Sequence, residues 1–218
     1  MKLPFWRNRN RPLKNAFLEQ FSKGLSQGMS VPEEFSRLFE WAENNDRIRS
    51  TRDGSSYISA GAANSSVMIH IPTQDPWWLG SENADYNERL KVFARTGGDG
   101  SSAAFWLDNE GKQHIVHLGS GSGSVMIGIW VESPLDFLRL ISIGYDELCW
   151  PEDYSLPPEE LIDAGAVSEA PKALKKWVEQ EFNTSVPRTA DELVAKMPEI
   201  GKPSDDPFCK WVGSLNPP

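Results

Sequence analysis

The chain is poor in the residues that build redox, metal and hydrolytic centres. Its 218 residues include only two cysteines, Cys149 and Cys209, and three histidines, His70, His114 and His117. Two cysteines give neither a disulfide framework nor a CxxC metal pair, so the expected compartment is a reducing cytoplasm. No stretch approaches the ~20 apolar residues that a membrane-crossing helix needs, and the N-terminal stretch has no apolar run of signal-peptide length. A cytoplasmic protein without a membrane partner is therefore expected. Basic charge is also scarce. The chain has 22 Lys and Arg against 31 Asp and Glu, a formal net charge of −9. That balance repels nucleic acid and favours a basic partner through electrostatic steering.

Apolar material, by contrast, is ample. Hydrophobic residues make up 39% and aromatic residues 11%, with nine tryptophans. One large core is within reach, although an indole N–H needs a partner and not every tryptophan can be fully interior. The charge is uneven. Residues 1–14 carry Lys2, Arg7, Arg9, Arg11 and Lys14 and no acid, while residues 144–206 hold 15 acidic side chains against 6 basic ones. Residues 1–13 read as a flexible basic arm, 14–150 as the main domain, and 151–218 as an acidic helical extension packed on it.

The most structured signal lies between Arg89 and Glu152. Strands are expected over 89–95, 102–108, 113–118 and 124–130, separated by Thr96-Gly97-Gly98-Asp99-Gly100, Asn109-Glu110-Gly111-Lys112 and the glycine-rich 119–123. Such short connections favour antiparallel pairing, because parallel strands need a longer crossover. Val125, Ile127 and Ile129 alternate with Met126, Gly128 and Trp130, which predicts a sheet covered by helices on one face and partly open on the other. A strand over 67–71 ends at Pro72, and 44–66 reads as a long loop with at most one strand.

Helices frame this sheet. Phe17, Leu18, Phe21 and Leu25 recur at helical spacing before a stop at Gly28. Ser30-Val31-Pro32-Glu33 resembles a capping box ahead of the stripe Phe35, Leu38, Phe39 and Ala42. A helix over 134–143 has Ser133 as cap, Pro134 at its first position, Asp136 against the dipole and Gly144 as stop. Further helices are expected over 158–164, 171–182 and 189–197. The fold class is thus α+β, a mainly antiparallel meander of about four to six strands with helices on one face and a C-terminal helical extension.

The motifs carry little chemistry. Gly119-Ser120-Gly121-Ser122-Gly123-Ser124 leads into a strand and lacks the Gly-Lys-Ser/Thr of a phosphate loop. Each of its Gly-x-Gly-x-Gly frames centres on glycine, which also excludes a nucleophile elbow. A flexible hairpin turn accounts for it better. His114 and His117 are three apart on one strand and point to opposite faces, so they do not ligate one ion. The acid pairs at 146–147, 152–153 and 159–160 read as solvated faces. Trp77 and Trp78 form an apolar loop patch, expected half-buried against the sheet. Asp99 at a hairpin tip is placed to bond its own turn backbone. The trio Tyr145, Asp146 and Glu147, close to Trp150, is what a basic partner would find attractive.

Val92-Phe93-Ala94-Arg95-Thr96-Gly97-Gly98-Asp99-Gly100, then Trp106-Leu107-Asp108, Ile115-Val116-His117-Leu118-Gly119, and Phe137-Leu138-Arg139-Leu140 followed by Ile143-Gly144-Tyr145-Asp146-Glu147-Leu148 together resemble the SUKH superfamily. The likeness spans roughly residues 30–148. Members often carry an Asn-Gly turn after the first helix, where this chain has Asn44-Asn45. The superfamily contains bacterial toxin-immunity proteins and the fungal Smi/Knr-type regulators of cell-wall synthesis. The resemblance implies an α+β domain that acts by binding, with no catalytic residue and no cofactor. It points first to an immunity-type protein that neutralises a cognate bacterial toxin, a nuclease for example, by occlusion. The alternatives are a regulatory scaffold of the cell-wall type and an uncharacterised hydrolase. Asp99, Trp106, Tyr145, Asp146 and Glu147 are the partner-contact candidates. No metal site is expected.

Overall fold

The computed structural model describes residues 16–52, 54–59, 65–74, 84–161 and 171–215. Seven strands lie in sequence order in one antiparallel sheet: β1 (Ile48–Ser50), β2 (Ser56–Ser59), β3 (Met68–Thr73), β4 (Leu90–Arg95), β5 (Ser102–Leu107), β6 (Gln113–Leu118) and β7 (Ile127–Val131). Every strand pairs antiparallel with the next, the outcome that short turns require. The fold is α+β as the sequence pattern implies, with more strands than the four to six expected. The additional hairpin, β1 with β2, falls in the stretch read as a loop with at most one strand. Only Ile58 of its seven residues is fully buried, so they lack the alternation that marks a half-buried strand.

Helices α1 (Ala16–Lys23), α2 (Glu33–Asn44), α4 (Pro134–Ile143) and α6 (Lys172–Glu181) contribute to the larger core on one face of the sheet. Its centre is aromatic: Phe17, Phe21, Phe35, Phe39, Phe93, Phe105 and Phe137 are buried and linked by ring contacts. The opposite face, expected to be partly open, is covered. Tyr86 of α3 (Ala84–Arg89) and Phe208 and Trp211 of α7 (Pro207–Leu215) pack there on Leu90, Val92, Ala104, Trp106, Val116, Leu118 and Ile127. The strand pattern permitted this second core, since β5 is buried along almost its whole length. Residues beyond 150 enter both cores: Leu174, Val178, Val186, Ala190 and Val194 join the first, Phe208 and Trp211 the second. Among the described residues no helix is long and apolar enough to cross a membrane.

α4 follows its sequence signals residue by residue. Ser133 Oγ accepts from the Asp136 N–H at 3.1 Å and donates to Asp136 Oδ2 at 2.6 Å, Pro134 opens the helix, and Gly144 closes it at φ 109°. Ser133→Ala is expected to cost about 1 kcal/mol, read as a lower urea midpoint at unchanged m-value.

Three local expectations are corrected. Ser30 does not cap α2; its backbone is instead held by the Gln113 amide, with Ser30 N–H to Oε1 and Nε2–H to Ser30 O, each 2.9 Å. The helix expected over 189–197 is only a single 3-10 turn, Ala190–Glu192, with a Thr189/Glu192 capping box. Beyond it the chain runs extended along the outer edge of β7. Ile127 N–H donates to Pro198 O at 3.1 Å, Ile200 N–H to Val125 O at 2.8 Å, and Met126 bridges Glu199. An open sheet edge offers more backbone hydrogen bonds to this segment than a short helix would. Finally, α3 and α7 form where no helix was expected. Trp77, Trp78 and the basic arm over 1–13 lie outside the described residues, as do 162–164 of the helix expected over 158–164, which is observed as α5 (Pro158–Leu161).

Candidate functional site

At one end of the sheet, the β4–β5 turn, the 119–124 turn and the segment after α4 converge on Asp99. Its Oδ1 accepts from Ser101 N–H at 2.9 Å. Its Oδ2 accepts from Ser101 Oγ at 2.8 Å, Ser120 Oγ at 2.8 Å and Ser124 N–H at 2.9 Å. Partial burial raises the carboxyl's pKa, but these donors outweigh it and hold the group at about 2. The glycines nearby make room for this arrangement. A Cβ on Gly123 would stand 2.7 Å from Asp99 Oδ2, and one on Gly97 would run into Cys149 Sγ. The glycine–serine turn is thus a cradle for a carboxylate and is held by it, where the sequence alone suggested a flexible loop.

Two further side chains lock the same end. Glu147 accepts from Gly98 N–H at 2.6 Å and from Trp150 Nε1–H at 2.7 Å, while Leu148 N–H donates to Thr96 O at 2.7 Å. Beneath them His117 is fully buried, donating from Nδ1 to Met126 O at 3.0 Å. Its Nε2 therefore accepts the Thr96 hydroxyl at 2.9 Å. Burial pushes this imidazole down to about 4. His117 packs on Trp130 and His114 on Trp106, so the pair diverges across the sheet as the strand period requires. Thr96 and His117 are both at zero exposure, so this hydroxyl–imidazole pair is sealed from any substrate. Among the described residues no cluster of three His, Cys, Asp or Glu is placed to hold a metal ion.

The five partner-contact candidates do not form one surface. Asp99 and Glu147 belong to the hydrogen-bonded knot just described. Tyr145 is 4% exposed; its hydroxyl donates to Leu156 O at 2.7 Å and accepts from Ala190 N–H at 3.1 Å. Trp106 is 2% exposed and lies under Phe208 and Trp211, which removes it from any protein contact surface. Asp146 alone presents an exposed side chain, and its carbonyl accepts from Ser66 N–H at 2.9 Å.

The sequence did not reveal where the exposed acids would gather. Tyr145 joins residues 153–160 to residues 188–192, with Asp191 N–H donating to Tyr154 O at 3.1 Å. That join brings together Glu152, Asp153, Glu159, Glu160, Asp191 and Glu192. Arg188 pairs with Glu159 and Glu160, each at 3.3 Å. The crowding is felt electrostatically. Burial and the nearby Glu152 carboxylate raise the pKa of Asp153, and burial with Asp191, Asp153 and Glu159 raises that of Tyr145. Leu156 stands in the same turn at 40% exposure, an uncovered apolar side chain with acids on both sides of it in sequence. The acidic bias after residue 144 was the available signal. The contact between two segments some 35 residues apart was not. No family model, curated protein or solved structure matches the chain.

Proposed function

We propose that this chain is a non-catalytic, immunity-type protein that binds a basic protein toxin and neutralises it by occlusion. One observation carries the reading: an exposed Leu156, flanked in sequence by acids, on a turn whose backbone the Tyr145 hydroxyl holds. An apolar anchor inside a charged rim is the usual anatomy of a protein docking surface. Complementary charge steers a basic partner towards it and sets its register. The resemblance to the SUKH superfamily supports the same reading, since that superfamily includes immunity proteins. The face sits on backbone fixed by the Tyr145 and Tyr154 hydroxyls, so little ordering entropy opposes docking.

The test is to mix the protein with the toxin encoded beside its gene and to measure both binding and protection. Leu156→Asp and the triple variant Glu152→Lys, Glu159→Lys, Glu160→Lys are each expected to weaken binding by at least about tenfold. The triple variant should act mainly by slowing association, with a flattened salt dependence. Wild-type affinity retained in both variants, or absence of binding and protection in the wild type, would sink the proposal.

A further inference from the structure

The two faces of the sheet are closed by different parts of the chain. Among the described residues, none after Met197 belongs to the first core or packs on it. Ile200, Phe208, Trp211, Val212 and Leu215 pack on the second core instead. Val194 is the last buried residue of the first core, and beyond it Ala195 and Lys196 are exposed and lie in neither helix nor strand. Residues 198–215 are then tied to the fold at β7 and α3. Ile127 N–H donates to Pro198 O at 3.1 Å and Ile200 N–H to Val125 O at 2.8 Å. Asp206 Oδ2 accepts from Ile129 N–H at 3.0 Å, while Oδ1 accepts from Cys209 N–H at 3.1 Å and so joins the sheet edge to the start of α7. Trp211 Nε1–H donates to Asp85 Oδ2 at 2.8 Å.

The seam beneath α7 is the least satisfied part of the interior. Among the described residues, the buried side-chain atoms without a hydrogen bond are Asn87 Oδ1, Arg89 Nη2 and Trp106 Nε1, all on α3 or β5. The Arg89 guanidinium carbon lies 5.3 Å from the Trp211 ring centre and 5.8 Å from that of Trp106. Its Nη1 reaches Asp85 Oδ2 only at 3.5 Å, and the Trp211 indole holds that same oxygen. A buried donor left without an acceptor is destabilising, more so when it is charged, and folded proteins keep few of them. Lifting α7 takes Trp211 off this stack, leaves Asp85 to Arg89, and gives Arg89 Nη2 and Trp106 Nε1 access to water. That gain offsets part of the apolar area exposed, so the segment opens at a lower free energy than the first core.

We propose that residues 198–215 form a latch that swings open as one unit about Ala195 and Lys196 while the first core stays folded. The closed latch covers the outer edge of β7, where Glu199 now stands antiparallel to Met126. Opening bares the Ile127 and Ile129 N–H groups, and an open edge of this kind adds a strand from another chain. Its residues differ from those of the acidic face, so neither proposal depends on the other.

The experiment is native-state hydrogen exchange on the ¹⁵N-labelled full chain at rising urea below the unfolding transition. The amides of Ile127, Ile129 and Ile200 report the latch bonds, and that of Lys210 reports α7, whose nine residues do not hold a helix alone in water. These four are expected to exchange at least about tenfold faster than Phe93 and Phe105 in the paired strands β4 and β5, and to merge onto one urea-dependent line. Phe35→Leu weakens the first core equally in the closed and open states. It should therefore speed exchange at Phe93 and Phe105 by about tenfold and leave the latch amides within about twofold of wild type. Asp206→Ala, which acts on the closed state alone, should speed both sets. Latch amides that follow Phe93 and Phe105 in Phe35→Leu overturn the proposal, because the segment then leaves only when the whole chain unfolds. Four unrelated exchange rates without urea dependence overturn it too, since they report fraying and no common opening. The wild-type urea series decides the matter even where a variant fails to fold.

Discussion

Replacing Phe35 with alanine is expected to cost about 3–5 kcal/mol, a large share of the ~5–15 kcal/mol that holds a domain together. Phe35 is at zero exposure on α2, and five rings surround it: Phe93 at 5.3 Å, Phe105 and Phe137 at 5.4 Å, Phe39 at 6.1 Å and Phe21 at 6.4 Å. Those partners come from α1, β4, β5 and α4 as well as α2, so the cavity would open where five elements meet and none could relax alone. Edge and stacked ring contacts add to the loss of buried area. Urea denaturation followed by tryptophan fluorescence would show a much lower midpoint. Phe35→Leu, which keeps most of the volume, should lose less than half as much. A midpoint for Phe35→Ala within error of wild type would refute this account of the core.

Asp99→Ala is expected to cost about 3 kcal/mol or more, because it strips acceptors from two backbone N–H groups and two hydroxyls at once. The loss should appear locally as fast hydrogen exchange at Ser101 and Ser124, where the carboxylate now protects the amides. The same end of the sheet sets the acid sensitivity. His117 sits at about 4 in the fold against an ordinary 6.5, so the unfolded chain takes up its proton first. Its contribution is complete above pH 6.5 and is lost as pH falls towards 4, on the order of 3 kcal/mol at ~1.4 kcal/mol per unit. Asp99, at about 2 against 3.8, adds a second limb that is complete above 3.8 and lost as pH falls through 2. Discounted for solvent screening, that limb is worth about 1–2 kcal/mol. His117→Gln should flatten the upper limb and Asp99→Asn the lower one. A stability profile unchanged by either substitution from pH 7 to 2 would contradict the network.

Parts of this architecture can be read directly from the residues. The strands β4 to β7 and helix α4 carry short turns, alternation and caps that act within a few residues, and each appears within a few positions of its expected place. Asp99 bonding its own turn through Ser101 was equally local. Its bonds to Ser120 and Ser124 join residues 21 and 25 apart, and no spacing rule encodes them. Tyr145 beside the acid pair, and Trp106 at the end of its strand, read from the sequence as partner contacts. The packing of α7 and of residues 188–192 buries them instead.

The covalent order of residues by itself determined an antiparallel α+β scaffold, a capped α4 and an acidic second half, because propensity, turn chemistry and charge are local or additive. Which face of the sheet α7 would cover, and that residues 153–160 would meet residues 188–192 at Tyr145, were decided only in three dimensions. Those outcomes depend on segments tens of residues apart competing for the same sheet face, sheet edge or acceptor. That competition is resolved by shape and by total burial, which no short window of sequence contains.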